Sequence, residues 1–373
     1  MTETQYYRPT KAIVDLAAIQ HNVQSLRNFL KEETVIIAVV KADGYGHGIT
    51  EVGKAALEAG AKMLSVATPD EAIELRKAGI ESDILVMAPV PPSFAKVASD
   101  LMITVTISDA SWLKTVLDGH NDIEKPIKVH VKIDSGMGRV GVREENQLQE
   151  IIEVLEGQKI FELDGVFTHF SSADDGVRET TAMQCEKFSQ LIALFPTKPR
   201  LVHVSNSAAT LLYPEYGFDA VRFGISLYGI APSSFVEQQL PFQLESALSI
   251  ETELTFVKQV EINAPISYGG TYTSTKAEWI GTIPIGYADG LKRGLRGQEV
   301  LIDGQRMPIV GTICMDQCMI KLPKSYPVGE KVVLIGNQGN EEVTIEEWAD
   351  RIDSIPYEIA VSISKRVPRI YKN

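Results

Sequence analysis

Cysteine is scarce in this sequence, and the few cysteines form no recognisable framework. Cys185, Cys314 and Cys318 are odd in number, which argues against a set of paired disulfides. Cys314 and Cys318 have no histidine or further cysteine nearby that would complete a zinc site. The pattern therefore excludes a disulfide scaffold, and it predicts buried free thiols and no bound metal.

Long apolar runs and excess positive charge are also missing. No stretch approaches the roughly eighteen consecutive apolar residues that a membrane helix requires. The opening residues, MTETQYYRPTKAIVDL, lack the basic segment and apolar stretch of a secretory signal, so we expect a cytoplasmic protein. The formal net charge of −13 repels phosphate backbones and anionic lipids, so neither nucleic acid nor a membrane is an expected partner.

What the sequence does contain is a regular alternation of apolar runs and amphipathic stretches before residue 245. Helical patterns such as 68–79 and 143–157 lie between eight candidate strands. The strands are VIIAVV (35–40), KMLSVA (62–67), DILVMA (83–88), MITVTI (102–107), KVHVKI (128–133), LDGVFTHF (163–170), RLVHVS (200–205) and AVRFGISLYG (220–229).

This alternation predicts the fold class. Eight successive βα units favour a closed (β/α)8 barrel of the TIM type in an α/β protein. The alternative is an open doubly wound sheet, which would have fewer strands and a glycine-rich dinucleotide-binding turn, and no such turn is present. After residue 244 the strand patterns are separated by glycine-containing turns with little helix. We therefore expect a smaller, mostly β C-terminal domain after the barrel.

The active site of such a barrel lies at the C-terminal ends of its strands, and Lys41 directly follows the first candidate strand. Desolvation there would lower the pKa of the amine, as covalent capture of a carbonyl group requires, although a lysine at a strand end can also be a solvated cap. The glycines of VVKADGYGHG let the backbone turn closely around a ligand, and Tyr45 and His47 add hydrogen-bonding groups.

The fifth and sixth strands add further polar side chains. Lys132 and Arg139 flank the glycine-containing loop of KIDSGMGRVGV, and His169 lies in THFSSAD. The guanidinium of Arg139 could bind a carboxylate through two parallel hydrogen bonds, or it could simply pair with Asp134.

The seventh and eighth strands suggest a phosphate site. Asn206 and Ser207 stand where a helix is expected to begin, and unpaired backbone N–H groups suit a phosphate there, although Ser207 could equally be an N-cap. Arg222, Gly224 and Ile225 follow in VRFGI, and phosphate-binding loops after these two strands recur in this barrel. A lysine, a phosphate anchor and buried cations together indicate a pocket for pyridoxal 5′-phosphate (PLP).

These segments resemble the bacterial alanine racemase family. The similarity runs from KAIVDLAAIQHNV to IPYEI and is carried, in order, by VVKADGYGHG, KIDSGMGRVGV, NSAA, RFGISLYG, SYGGTY, IGTIPIGYADG, ICMDQCM and IPYE. The resemblance implies a PLP-dependent isomerase that interconverts L- and D-alanine and supplies D-alanine for peptidoglycan. It also implies a barrel of residues 13–243, a β domain of 244–373 with 1–12, and a homodimer whose active sites combine one chain's barrel with the other's β domain.

The resemblance also assigns roles to single residues. Lys41 carries the cofactor and is one base, and Tyr268 of the partner chain is the second base. Arg222 faces the pyridine nitrogen, and as a group that only donates it disfavours protonation of that nitrogen. The other cofactor contacts are Tyr45, His169, Asn206, Ser207, Gly224, Ile225 and Tyr357, and the substrate contacts are Arg139, Met315 and Asp316.

Two positions carry additional expectations. Lys132 matches a residue that is carbamylated in several family members, and the resulting anion can hold Arg139 in place. Thr312 departs from the family, which commonly has arginine at this position. The departure concerns the charge at the entrance corridor and not the residues of the chemistry.

Two rival functions fit parts of the pattern. A PLP-dependent amino-acid decarboxylase on a similar barrel would favour an acidic partner for the pyridine nitrogen, where this sequence has Arg222. A PLP-binding barrel protein without catalysis would lack the β domain and its Tyr268.

Overall fold

The computed structural model describes residues 6–119 and 122–373. The chain forms two compact units. The barrel unit consists of Ala17–Gly44 and Ile49–Ser246, and the sheet unit consists of the chain up to Leu16, Tyr45–Gly48 and Ala247–Asn373. Among the described residues, no helix is both long enough and apolar enough to cross a membrane.

The strands and helices are numbered in chain order. The strands are β1 Lys11–Asp15, β2 Val35–Val39, β3 Met63–Val66, β4 Asp83–Pro89, β5 Thr104–Ile107, β6 Ile127–Lys132, β7 Phe161–Phe167, β8 Leu201–His203, β9 Ala220–Phe223, β10 Leu248–Glu253, β11 Phe256–Val260, β12 Pro265–Ile266, β13 Tyr272–Thr273, β14 Glu278–Ile283, β15 Glu299–Ile302, β16 Gln305–Val310, β17 Cys318–Leu322, β18 Lys331–Gln338, β19 Glu341–Val343 and β20 Arg369–Lys372. The helices are α1 Leu16–Phe29, α2 Lys41–Tyr45, α3 Ile49–Glu58, α4 Pro69–Lys77, α5 Ala95–Asp100, α6 Ala110–Gly119, α7 Glu145–Glu156, α8 Arg178–Ile192, α9 Ser207–Leu212, α10 Ser234–Glu237, α11 Ile345–Arg351 and α12 Pro356–Ser362.

Strands β2–β9 close into a barrel in which every neighbouring pair is parallel and β9 pairs with β2. The predicted closed parallel barrel is therefore confirmed. The strands are nearly continuous apolar runs because helices cover a sheet of this kind on its outer face and side chains fill its interior. Inside the barrel unit, buried apolar side chains from different strands pack together, namely Ile37, Met63, Leu85, Leu201 and Ala220.

Helix α4 shows how the sequence sets an element boundary. Thr68 adopts extended backbone angles, and its hydroxyl accepts a hydrogen bond from the Glu71 backbone N–H. The Glu71 carboxylate accepts in return from the Thr68 N–H, which completes a capping box. The helical pattern predicted over 68–79 is therefore a helix whose N-cap is Thr68 and whose first turn contains Pro69.

The eighth candidate strand was predicted too long. The run 220–229 is a strand only to Phe223, and a short 3-10 helix spans Ile225–Tyr228. The strand ends because Gly224 has φ −105° and ψ −104°, outside the extended region. The end of the apolar run therefore belongs to a loop rather than to the barrel wall.

The sheet unit is built around a mostly antiparallel sheet with the order β11-β14-β17-β16-β15-β18-β10-β1-β20. Strand β1 is antiparallel to β10 and parallel to β20. Strands from both ends of the sequence thus meet in one sheet. A mostly β domain after the barrel was predicted, and the structure confirms it.

Candidate active site

Lys41 stands on a left-handed turn directly after β2. Ala42, Asp43 and Gly44 have φ of 52°, 55° and 59°, so α2 is not an ordinary right-handed helix. For residues with a side chain, this conformation costs roughly 1–2 kcal/mol each. Strain of this kind persists only where surrounding contacts enforce it.

Those contacts come from the barrel unit itself. The Gly44 N–H donates to the Val40 carbonyl at 2.8 Å. The Ala42 N–H donates to Glu71 Oε1 at 2.6 Å, and the Ile49 N–H donates to Asp43 Oδ1 at 3.1 Å. Glu71 therefore serves both the cap of α4 and the turn that presents Lys41.

Burial lowers the pKa of the Lys41 amine, and the nearby charge of Arg139 lowers it further, while Glu71 opposes the shift. A lower pKa increases the fraction of neutral, nucleophilic amine. The desolvated setting that the sequence predicted for Lys41 is thus present at the end of β2.

Lys132 and Arg139 follow β6 but differ in exposure. Lys132 is buried, its Nζ donates to the Ile133 carbonyl at 2.9 Å, and it lies 5.2 Å from the centre of the Phe167 ring. Burial, followed by the charge of Arg222, lowers the pKa of Lys132 to about 7. Arg139 is exposed.

The simple ion pair between Arg139 and Asp134 is not found among the described residues. The Asp134 Oδ1 instead accepts from the backbone N–H groups of Gly136 and Gly138, at 3.2 and 2.9 Å. Asp134 therefore shapes the loop, and Arg139 is left at its surface.

Arg222 is a buried cation of the barrel unit that donates several hydrogen bonds. Its Nη1 donates to the ring Nδ1 of His203 at 2.8 Å. Its Nη2 donates to the carbonyls of Thr168 and Val204, both at 2.8 Å, and to His169 Nδ1 at 3.2 Å. Among the described residues, no partner is found for its remaining donor, Nε–H. Burial, together with the charge of Arg139, lowers the pKa of Arg222 to about 9.

His169 is the neighbour of Arg222 on the loop after β7. Burial lowers the pKa of His169 well below its ordinary value, and the charge of Arg222 acts in the same direction. A neutral imidazole is therefore expected, with Nδ1 as the acceptor from Arg222.

The start of α9 shows that Ser207 is not the N-cap, whereas its assignment to a phosphate stays a prediction. Asn206 is the N-cap, and its side-chain oxygen accepts from the Ala209 N–H at 3.0 Å. Ser207 is the first helical residue, so it is not the N-cap. Its hydroxyl accepts from the Gly224 N–H at 3.0 Å, which ties the loop after β9 to α9.

The barrel residues offer the chemical groups that would bind PLP. Lys41 offers a desolvated amine, Arg222 Nε offers a fixed N–H group, and the Ser207 hydroxyl and the Ile225 loop lie together after β8 and β9. An amine, a ring-nitrogen partner and a phosphate anchor are the groups that a PLP site needs.

The remaining predicted residues belong to the sheet unit. The rings of Tyr45 and Tyr357 lie 6.1 Å apart, and burial raises the pKa of Tyr45. Their assignment to the phosphate stays a prediction. Tyr268 is 75% exposed and Met315 is 52% exposed, while Asp316 forms an ion pair with Arg366 at 2.7 Å.

Thr312 holds the segment that carries Tyr268. Its hydroxyl donates to the Tyr268 carbonyl at 3.0 Å and lies 3.1 Å from the Thr271 hydroxyl. The Ser267 hydroxyl donates to the Thr312 carbonyl at 2.6 Å. The residue noted as a departure from the family therefore fixes the backbone beside the exposed tyrosine.

Sequence reasoning missed two residues that support the site. His203 contacts Arg222, and a histidine inside the apolar run RLVHVS was the available signal. Glu71 supports the Lys41 turn, but its place three residues after a capping threonine indicated only the helix start.

Two family models together match most of this chain. The family model described as "Alanine racemase, N-terminal domain" matches residues 14–232, and the model described as "Alanine racemase, C-terminal domain" matches residues 247–371. The alanine racemase of Geobacillus stearothermophilus is 46% identical over 98% of this chain and 94% of that protein. Alanine racemase 1 of Bacillus subtilis is 43% identical over 100% of this chain and 95% of that protein.

A solved structure agrees over the whole fold. The crystal structure of alanine racemase from Bacillus anthracis with bound L-Ala-P superposes with a TM-score of 0.96 at 44% identity. The superposition covers 99% of this chain and 96% of that chain.

Proposed function

Because this chain belongs to the alanine racemase family, we propose that it interconverts L- and D-alanine with PLP and that Lys41 and Tyr268 are its two bases. The observation that carries the proposal is the presentation of a desolvated Lys41 amine on an enforced left-handed turn at the end of β2. The D-alanine product is a precursor of peptidoglycan.

Bound PLP would supply an electron sink that makes the α-proton of alanine acidic. Lys41 would hold the cofactor covalently, Arg222 Nε would donate to its ring nitrogen, and Ser207 with the Ile225 loop would bind its phosphate. The contacts of Arg222 with His203, Thr168 and Val204 support this arrangement because they leave Nε as the donor to offer.

Racemisation requires removal of the α-proton from one face and return of a proton to the other. A single base would have to move between the faces, whereas two bases avoid that movement. The lowered pKa of Lys41 lets its amine accept a proton at the α-carbon, and the resemblance gives this residue the D-alanine side. Tyr268 then serves the L-alanine side, and Arg139 orients the substrate carboxylate.

We further propose that Tyr268 comes from a second copy of the chain, so that each active site of a homodimer combines one chain's barrel with the other chain's sheet unit. The support is the family resemblance together with the 75% exposure of Tyr268, which leaves its phenol available to a neighbour.

The decisive experiment is incubation of the PLP-loaded protein with L-alanine in deuterated water. A racemase yields D-alanine that carries deuterium at the α-carbon, measured by chiral chromatography with mass spectrometry. Release of carbon dioxide from ornithine, lysine or diaminopimelate without alanine racemisation would establish the decarboxylase instead. Absence of turnover with every substrate would establish a PLP-binding protein without catalysis.

A second measurement tests the role of Lys41. Borohydride should fix the cofactor irreversibly to the protein, and peptide mapping should locate the label on Lys41. A label on any other lysine would refute this assignment without deciding the reaction.

A further inference from the structure

A line of hydrogen-bonded side chains runs through the interior of the barrel unit and ends at Arg222. Arg222 Nη1 lies 2.8 Å from His203 Nδ1. The Nε2 of His203 lies 2.9 Å from Nδ1 of His130, whose Nε2 lies 2.9 Å from Asp164 Oδ2. All of these side chains are buried, and the ring of His203 is stacked on Phe167 with centres 4.8 Å apart.

An irregularity between β6 and β7 brings Asp164 into this line. Val129 is paired with Leu163. The next pair is His130 with Gly165, so Asp164 is an extra residue of β7. A bulge of this type redirects a side chain out of the regular alternation. Gly165 makes room for the imidazole, because a Cβ there would lie 2.6 Å from a ring atom of His130.

The far end of the line is anchored by a basic side chain. Arg200 donates to Asp164 through Nε at 2.6 Å and through Nη2 at 2.8 Å. Asp83 accepts from Arg200 at 3.3 Å and from Lys128 at 3.1 Å. Burial alone would raise the pKa of Asp164, but the hydrogen bonds from His130 and Arg200 outweigh burial and lower it. Asp164 is therefore an ionised carboxylate.

The two ends dictate where every proton in the line lies. A guanidinium only donates, so His203 Nδ1 must accept, and a neutral His203 then carries its proton on Nε2. That proton is donated to His130 Nδ1, so a neutral His130 also carries its proton on Nε2. An ionised carboxylate only accepts, which matches the Nε2–H of His130.

Both imidazoles are neutral for a physical reason. Burial lowers the pKa of His130, although Asp164 opposes the shift. Burial also lowers the pKa of His203 well below its ordinary value, and the charge of Arg222 adds to this effect. A proton added to either ring would place a donor against a donor, and the conflict would reach the Arg222 contact.

We propose that Asp164 is a positioning residue for Arg222. Through His130 and His203 it fixes one direction of hydrogen bonding, and this direction holds the guanidinium by its Nη groups, so that Nε–H is the donor that it would offer to the cofactor's ring nitrogen. The inference rests on the proposed function for the identity of that ring, whereas the proton arrangement is a property of the protein alone.

The first test reads the proton arrangement directly. Histidine-labelled full-length protein, with and without added PLP, is studied by NMR correlation of ring nitrogens with ring protons, and His130→Gln and His203→Gln provide the assignments. We expect His130 and His203 to be neutral through the neutral pH range, each with its proton on Nε2. A proton on Nδ1 of either ring, or a charged ring at neutral pH, would overturn the proposal.

The second test separates positioning from mere structure by a double-mutant cycle. Asp164→Ala should lower the kcat of racemisation roughly 10-fold in the wild-type background and have little further effect in an Arg222→Lys background, because coupled residues are not additive. Asp164→Asn, which keeps an acceptor oxygen, should restore part of the loss. Equal effects of Asp164→Ala in both backgrounds would show a structural role only and would overturn the proposal.

Two further variants serve as a control and as a replacement. Thr104→Val changes another buried barrel residue, whose hydroxyl has no partner among the described residues, and it should leave kcat and the histidine signals unchanged. If Asp164→Ala does not fold, Gly165→Ala replaces it, since the added methyl displaces the His130 ring. If the wild type does not racemise alanine but both histidines carry their protons on Nε2, only the proposed function is rejected. If the wild type racemises alanine but either histidine has a different proton arrangement, only the positioning role is rejected.

Discussion

Burial affects the amines and the guanidinium of this barrel differently. The pKa of Lys132 falls to about 7, so near neutral pH its amine is partly uncharged. The pKa of Arg222 falls only to about 9, so its guanidinium remains charged and can only donate. Side chains of the same formal charge therefore differ in chemistry here, because the amine of Lys132 is partly neutral whereas the guanidinium of Arg222 is a charged donor.

We predict that Lys132 forms a carbamate with carbon dioxide. Its uncharged amine can attack carbon dioxide with release of a proton, and the product anion could pair with nearby cations. Carbon-13 NMR in labelled bicarbonate should show one protein-bound carbamate signal. The signal should fade as the pH falls below about 7, because the amine is then protonated.

The matched control for this experiment is Lys132→Arg, which keeps a positive charge but offers no reactive amine. The signal should disappear in this variant. A carbamate signal that persists in Lys132→Arg would belong to another amine and would contradict the prediction.

We predict that Arg222→Glu slows racemisation and increases the side reaction that converts alanine to pyruvate. A carboxylate can accept a hydrogen bond from a protonated ring nitrogen and so favours protonation of that nitrogen, which a guanidinium cannot do, and the electron sink becomes stronger. Chiral analysis of alanine and an enzymatic pyruvate assay measure both rates. Arg222→Lys, which remains a donor, is the control and should form less pyruvate than Arg222→Glu. Equal pyruvate formation by wild type and Arg222→Glu would mean that residue 222 does not contact the ring.

The sequence indicated the candidate site residues of the barrel strands, but it could not reveal the residues that hold them in place. Lys41 stands out because it follows an apolar run, and Arg222 stands out because it is a basic residue inside one. Asp164 and His130 lie far apart in sequence and meet only through the irregular pairing of β6 with β7. One extra residue in a strand changes which side chains face each other, and no periodic pattern records it.

The left-handed turn that bears Lys41 could not be predicted from the sequence either. The letters KADGY are compatible with a helix or a loop, and only contacts from Glu71 and Asp43 enforce the left-handed conformation. The barrel strands were predictable because their burial produces continuous apolar runs, which depend little on detail. Elements formed by burial were therefore easier to predict than those formed by single hydrogen bonds.

We predict that Ala42→Gly leaves the free energy of unfolding unchanged or raises it. Glycine adopts the left-handed region without the penalty that alanine pays at φ 52°, and this gain offsets the larger entropy of the unfolded chain. Denaturant unfolding of the two proteins measures the difference.

The comparison variant is Ala182→Gly in the right-handed helix α8. There the same substitution should cost about 1 kcal/mol. Equal destabilisation at both positions would show that the turn carries no conformational strain.

For the assembled protein we predict complementation between inactive variants. Lys41→Ala and Tyr268→Phe should each be nearly inactive, because each removes one proton carrier from both sites of a symmetric dimer. Equal mixing with full subunit exchange should restore roughly a quarter of wild-type activity, because half of the dimers then contain one intact site.

Mass-tagged subunits verify the exchange in this experiment. Activity that stays at the level of the single variants after verified exchange would show that Tyr268 does not act across an interface. That result would contradict the two-chain site but not the racemase function.

Strand β1 is synthesised first, yet both of its partner strands, β10 and β20, follow the entire barrel in the chain. Because a ribosome adds residues at roughly 5–20 per second, β1 leaves the exit tunnel many seconds before either partner exists. The alternating pattern of KAIVD then has two unpaired edges and one apolar face on the nascent polypeptide. We therefore expect the barrel unit to fold during translation and the sheet unit to close only afterwards, with Lys11–Asp15 unpaired in the meantime.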